Sequence, residues 1–241
     1  MVGVRFYLKI FIIGMHPLEQ RTKNPDYITR PYQKRDREQI RRICCETGFL
    51  GEPIDDAFGD RDLFADYLTR YYTDIEPESC WVGEKNGMVV GYLIACKRWR
   101  LNRWWDLWNG LRLALKAGWR FLCGRYDAKT RKFLGWVLTH GWREIPWVPA
   151  NAAHFHCNSM KGHRKIGIAR DLIVTMMDDL KKQGVPRVFA QMITYDHRRT
   201  ARVYEYMGWK VVDKKRVSKY DGMVNKELYL TTVVIDLTGE S

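Results

Sequence analysis

No Cys-x-x-Cys pair occurs among the six cysteines Cys44, Cys45, Cys80, Cys96, Cys123 and Cys157, and the adjacent Cys44 and Cys45 are poor partners for one metal ion. That spacing argues against a structural zinc and predicts reduced, mostly buried thiols in a cytoplasmic protein. No apolar run approaches the ~20 residues that a bilayer-spanning helix needs. The stretch 2–13 is apolar, but Arg5 and Lys9 interrupt it and no small-residue cleavage site follows. Residues 1–25 are therefore expected to form an extra strand or an extension with little structure rather than a signal segment. Internal repeats and low-complexity linkers are also missing, which leaves one domain over 26–241, interrupted by an insertion at about 97–150. Acidic residues are in short supply: 28 Asp and Glu face 41 Lys and Arg, a formal net charge of +13. A basic field of this size attracts nucleic acid, anionic lipid or a phosphorylated cofactor, and composition does not choose among them.

The hydrophobic patterning predicts alternating elements. A strand over 27–33 leads to a helix over 35–47 with Ile40, Ile43 and Cys44 inward. Asp60 is positioned to cap a second helix, in which Leu63, Phe64, Tyr67, Leu68 and Tyr71 recur at helical spacing. Strands over 79–84 and 88–96 flank Lys85-Asn86-Gly87, where Asn-Gly suits the positive φ values of a tight hairpin turn. After the insertion come a strand over 152–159, a helix over 168–183 closed by Gly184, a strand over 185–193, a short helix over 199–207 stopped by Gly208, and a closing pair over 209–217 and 226–237. This order predicts an α/β fold with a mixed sheet and helices on both faces.

Gly162-His163-Arg164-Lys165-Ile166-Gly167-Ile168-Ala169 lies between a predicted strand and helix. There the free N–H groups of a helix N-terminus can hold a phosphate, small residues let the anion approach, and Arg164, Lys165 and Arg170 add charge. On its own the pattern favours an ordinary basic loop with a small residue for packing. The segment resembles the R/Q-x-x-G-x-G/A signature of the GNAT acetyltransferase superfamily, with Arg164, Gly167 and Ala169 in its three defined places. Downstream, the run from His197 through Tyr204 to Gly208-Trp209 resembles the family's N-x-x-A-x-x-x-Y-x-x-x-G-F helix. The segment from Ala153 to Gly167, with Ile75-Glu76-Pro77-Glu78, also resembles the acetyltransferase-like domain of bacterial O-GlcNAc hydrolase relatives.

The resemblance implies a GNAT-like, mainly antiparallel central sheet and an acyl-CoA-dependent N-acetyltransferase that moves an acetyl or related acyl group from CoA to a primary amine. It implies that Arg164, Lys165, Ile166, Gly167, Ile168, Ala169 and Arg170 hold the pyrophosphate. Cys157, Asn158 and Ser159 would pair with the pantetheine arm, His197 and Thr200 would assist, and Tyr204 would serve the leaving thiolate. The strand over 152–159 puts His154, His156 and Asn158 on one face, so either histidine is a candidate general base or a satisfied sheet residue. Two departures matter. Asn158 stands where relatives often carry an acid and cannot act as a base, and His197 replaces the usual Asn. They keep open a rival reading, a non-catalytic CoA-binding or membrane-surface scaffold module.

Eight of the ten tryptophans fall within 97–150. A helix over 102–123 would carry a narrow polar stripe of Asp106, Asn109, Arg112, Lys116 and Arg120 and a broad apolar remainder including Trp104, Trp108, Leu115 and Trp119. The leading expectation is that the apolar side packs onto the sheet and walls the acceptor site. Peripheral membrane contact through 100–123 is the second reading, and nucleic acid the weakest. The expected partner is a small-molecule or peptide amine, no metal is called for, and a homodimer is compatible with the chain.

Overall fold

The computed structural model describes residues 27–164, 167–195, 205 and 208–238. Its elements, in order, are β1 (Ile28–Pro31), α1 (Arg37–Glu46), α2 (Arg61–Ile75), β2 (Cys80–Lys85), β3 (Met88–Cys96), α3 (Trp99–Leu122), α4 (Ala128–Trp136), β4 (Ala153–Ser159), α5 (Ile168–Lys182), β5 (Arg187–Thr194), β6 (Lys210–Arg216) and β7 (Tyr229–Asp236). The strands form one sheet in the order β1-β2-β3-β4-β5-β7-β6. Only β4 and β5 run parallel; every other neighbouring pair is antiparallel.

Local chemistry sets several of these boundaries. The Asp60 side chain accepts from the Leu63 N–H and starts α2. Asn86 and Gly87 both take positive φ, 51° and 76°, and turn β2 into β3. Helices cover both faces of the sheet. On one face Ile40 and Ile43 of α1 and Tyr71 and Tyr72 of α2 pack with Val82, Tyr92 and Ile94. On the other, Ile168, Leu172, Met176 and Leu180 of α5 recur at helical spacing, all fully buried against Leu93, Ala95 and Val188.

Two glycines seat the start of α5. Gly83 and Gly91 are paired across β2 and β3, and a Cβ on either would lie 2.6 or 2.8 Å from Cγ2 of Ile168. Their bare backbone makes a hollow for the first residue of α5, which fixes where that helix's N-terminus comes to rest.

Glu76 ties α2 to the end of β3. Its buried carboxylate accepts from Tyr71 Oη at 2.8 Å, Ser79 Oγ at 3.0 Å and the Lys97 N–H at 2.7 Å. The chain leaving β3 for the insertion is thus anchored from below.

The insertion helix α3 corrects the expectation of burial. Asn102, Asn109 and Leu113 are its buried residues, while Trp104, Trp108, Leu115, Trp119 and Leu122 are 66, 68, 67, 68 and 81% exposed. The polar stripe faces the domain. Arg112 meets Asp66 at 2.8 Å, Lys116 meets Asp62 at 2.6 Å, and Arg120 meets Asp60 at 2.5 Å. The physical reason lies on α2, whose N-terminal edge offers three carboxylates, two of them buried. A buried carboxylate without a cation costs more than an apolar side chain left in water. Burial pushes the Asp60 and Asp66 pKa values up, yet hydrogen bonds from Arg120 and from Arg112 and Arg41 outweigh it and hold both below the usual carboxylate range. Among the described residues no helix is long and apolar enough to cross a membrane.

Candidate functional site

The strand β4 and the start of α5 are separated by eight residues and together form an open edge. β4 pairs with β3 over its whole length, from Cys96↔His154 to Gly91↔Ser159. With β5 it pairs only at Ala153↔Val188 and His154↔Phe189, whereas β5 continues to Thr194 alongside β7. The two strands therefore part after His154, and the β5-side edge of 155–159 has backbone groups without a strand partner among the described residues. Such an edge can accept an extended chain that carries amides.

Gly167 lies directly before α5 with φ +92° and ψ −2°, a left-handed conformation natural to glycine, and as the N-cap residue it offers no side-chain cap to the helix. The first N–H groups of α5, at Ile168, Ala169 and Arg170, have no carbonyl one turn back within the helix, and among the described residues none has another acceptor, which suits an anion there. Tyr27 Oη donates to Asp171 Oδ2 at 2.6 Å, and its oxygen would lie 3.3 Å from a Cβ at Gly167. Arg170 Nε and Ser159 Oγ are buried and have no hydrogen-bond partner among the described residues. Arg170 Nε stands 3.7 Å from Asp171 Oδ1, beyond hydrogen-bond range. A guanidinium and a hydroxyl with hydrogen-bonding capacity to spare, beside a glycine-led helix start, suit a polyanionic ligand that also carries polar groups. Arg164 is engaged differently from the expectation of a pure phosphate ligand. Its Nε donates to the Ser159 carbonyl at 3.3 Å and its Nη2 donates to the Gly51 carbonyl, so it ties the turn to the loop after α1. Lys165 and Ile166 lie outside the described residues.

The expected alternation along β4 is present. His154, His156 and Asn158 face α1 and α2: His154 Nε2 is 2.8 Å from Tyr72 Oη, the His156 ring lies 5.5 Å from that of Tyr72, and Asn158 Nδ2 donates to Tyr92 Oη at 2.8 Å. Phe155 and Cys157 pack on the α5 side, with Cys157 Sγ 4.0 Å from the Ala169 carbonyl. Burial lowers His154 to about 3, helped by neighbouring His156, and lowers His156 to about 4. Both imidazoles are neutral at pH 7 and weakly basic. Burial likewise pushes the Cys157 thiol up to about 12, so it is no thiolate nucleophile at neutral pH. Among the described residues no group of His, Cys, Asp or Glu could hold a metal ion.

The downstream motif residues His197, Thr200 and Tyr204 lie outside the described residues. Their flanks are described: Tyr195 follows β5, and Gly208 takes φ +81°. Tyr195 lines a cleft of about 300 Å³ with Leu50, Val224, Asn225, Lys226 and Leu228, and Lys226 Nζ stands 4.9 Å from the Tyr195 ring centroid. The loop that contributes Leu50 also meets the anion turn, through Gly51 to Arg164 and through Glu52 to Lys161 at 2.9 Å. Sequence reasoning singled out none of these cleft residues. The one local signal is Gly51, at φ +96°, in a turn closed by the Phe49↔Glu52 bridge.

This arrangement is similar to solved structures over most of the chain. The crystal structure of SsHAT superposes with a TM-score of 0.54 at 22% identity, covering 89% of this chain and 100% of that one. An N-acetyltransferase from Staphylococcus aureus Mu50 gives 0.51 at 13% identity, covering 88% and 99%. The fold is that of the GNAT N-acetyltransferases. No family model and no curated protein matches the chain. Within the GNAT fold of this protein, the parting of β4 from β5 and the uncapped start of α5 lie at one end of the sheet, with the Leu50–Lys226 cleft joined to them by the loop after α1.

Proposed function

We propose that this protein is an acyl-CoA-dependent N-acyltransferase, with acetyl-CoA the first donor to test. The observation that carries the reading is the unpaired edge of β4 running toward the uncapped, glycine-led start of α5. A pantetheine arm has two amides that match the backbone of 157–159 on the side that β5 leaves, and a pyrophosphate matches the N–H groups at 168–170 with the Arg170 guanidinium beside them. When bound, acyl-CoA supplies an acyl group activated as a thioester with a thiolate as leaving group.

The residues of this chain then divide the remaining work. Arg164 holds the loop after α1, which contributes Leu50 to the cleft, against the turn. Leu50, Val224 and Leu228 fit an acceptor with an apolar body, and Lys226 suits an acceptor bearing an anionic group. Tyr204 donates to the departing sulfur. His156 or His154 accepts the amine proton. Since both are weak bases, turnover depends on an acceptor that arrives as the free amine, and the rate rises with pH toward the acceptor's own pKa. A second reading, a CoA-binding module without turnover, draws on Asn158 and on the same weak histidines.

The test mixes the protein with acetyl-CoA and a panel of polyamines, aminosugars and peptides, and follows free thiol alongside CoA affinity. Thiol release with at least one amine, slowed by Tyr204→Phe with CoA affinity retained, is the expected result. Tight CoA binding without thiol release on any amine supports the module. Absence of CoA binding contradicts both.

A further inference from the structure

The outward face of α3 is unusual for a helix on a folded domain. Trp104, Trp108, Leu111, Leu115, Trp119 and Leu122 follow helical spacing and are all exposed, while the charged stripe is clamped inward by Asp60, Asp62 and Asp66. The helix has 24 residues, about 36 Å of length at ~1.5 Å per residue. Its apolar side is therefore a long exposed strip rather than scattered single residues, and an apolar surface of that extent marks an interaction site.

Charge indicates what covers it. Between residues 97 and 150 there are twelve Lys and Arg against three Asp and Glu. Arg112, Lys116 and Arg120 are spent on α2, but Arg103, Arg125 and Arg131 are exposed and form no ion pair among the described residues, and exposed Arg100 lies 5.2 Å from the Trp99 ring. Asp106 is the one acid on α3. A second copy of the same face would present the same cations with little counter-charge. A narrow two-in-seven seam would suit a partner helix, but here the exposed apolar arc is broad. Tryptophan beside arginine on a broad apolar face is the pattern of a helix lying in a lipid headgroup layer, with indoles at the boundary and cations on anionic lipid.

We propose that α3 docks this protein onto anionic membrane surfaces, lying in the plane of the interface through Trp104, Trp108 and Trp119. The ion pairs with α2 hold the apolar side outward before any membrane is met, so docking requires no refolding of the helix. This inference stands apart from the acyl-transfer reading and is carried by different residues.

The full chain is tested by sedimentation with vesicles of phosphatidylcholine, with and without phosphatidylglycerol, and by quenching of its tryptophan emission with brominated lipid. Strong binding is expected only where phosphatidylglycerol is present. Trp104→Ser/Trp108→Ser/Trp119→Ser is expected to weaken binding about 100-fold with an unchanged circular dichroism spectrum, because these side chains are exposed. Arg100→Gln/Arg103→Gln/Arg125→Gln is expected to weaken binding about 10-fold or more and to flatten its salt dependence. Failure to bind phosphatidylglycerol vesicles, equal binding to neutral vesicles, or binding unchanged by the tryptophan substitutions would overturn the proposal. So would a solution dimer that those substitutions split, with no vesicle binding, since a second copy would then be the occupant.

Discussion

Gly167→Val is expected to lose acyl-CoA binding by about 100-fold while the protein stays folded. Gly167 sits at φ +92°, and a β-branched residue there either strains the backbone or moves it out of the left-handed region. The added side chain also crowds the space before the first N–H groups of α5 and meets Tyr27 Oη, 3.3 Å from the new Cβ. Two hydrogen bonds to a charged phosphate, at roughly 1.5 kcal/mol each, come to about 3 kcal/mol, or two decades of affinity. The strain on folding is smaller, about 1–2 kcal/mol, because the rest of α5 is held by Leu172, Met176 and Leu180. Calorimetric titration with CoA beside a thermal melt separates the two quantities. Retained affinity in a folded Gly167→Val protein would remove the helix start from the binding site.

Glu76→Ala carries the largest expected effect on stability, a loss of about 4 kcal/mol. The substitution strands Ser79 Oγ and the Lys97 N–H and leaves Tyr71 Oη with only a long contact to the Arg98 carbonyl at 3.5 Å, and each buried donor left unmade costs roughly 1–3 kcal/mol. Glu76→Gln keeps the shape and one acceptor oxygen and is expected to lose about half as much. Urea midpoints of the three proteins measure the difference. Because Glu76 also fixes the exit from β3, hydrogen exchange at the start of α3 should rise in Glu76→Ala. A midpoint within experimental error of the parent would show that these donors find other partners.

Elements governed by neighbours in sequence were legible without coordinates. The Asn86-Gly87 turn, the Asp60 cap and the alternation of β4 depend on residues a few positions apart, and the structure has them where the pattern puts them. The extent of α5 and its close at Gly184 were legible in the same way. Orientation was not legible where two faces compete. The periodicity of α3 separates a polar stripe from an apolar one, but the choice between them is made by Asp60, Asp62 and Asp66, some 46 to 60 residues earlier in the chain. An assumption that apolar means inward fails there because the buried carboxylates Asp60 and Asp66 draw Arg120 and Arg112 toward the domain.

The candidate site divides in the same way. Gly167 was singled out by the spacing it shares with Arg164 and Ala169 in the resembled signature, and the structure has it in the left-handed region directly before α5. The basicity of His154 and His156 was not, since it depends on burial beneath Tyr72 and neighbouring side chains. The cleft residues Leu50, Tyr195 and Lys226 come from three distant segments and leave no local pattern. Nor does sequence alone reveal that Arg164 reaches Gly51, which joins the anion turn to that cleft.

A crystal structure of the full chain grown with acetyl-CoA tests the site most directly. The expected result is pyrophosphate oxygens at about 3 Å from the N–H groups that open α5, with the pantetheine arm along the free edge of 157–159. Density for the cofactor at another place on the protein, or none at saturating acetyl-CoA, would contradict it.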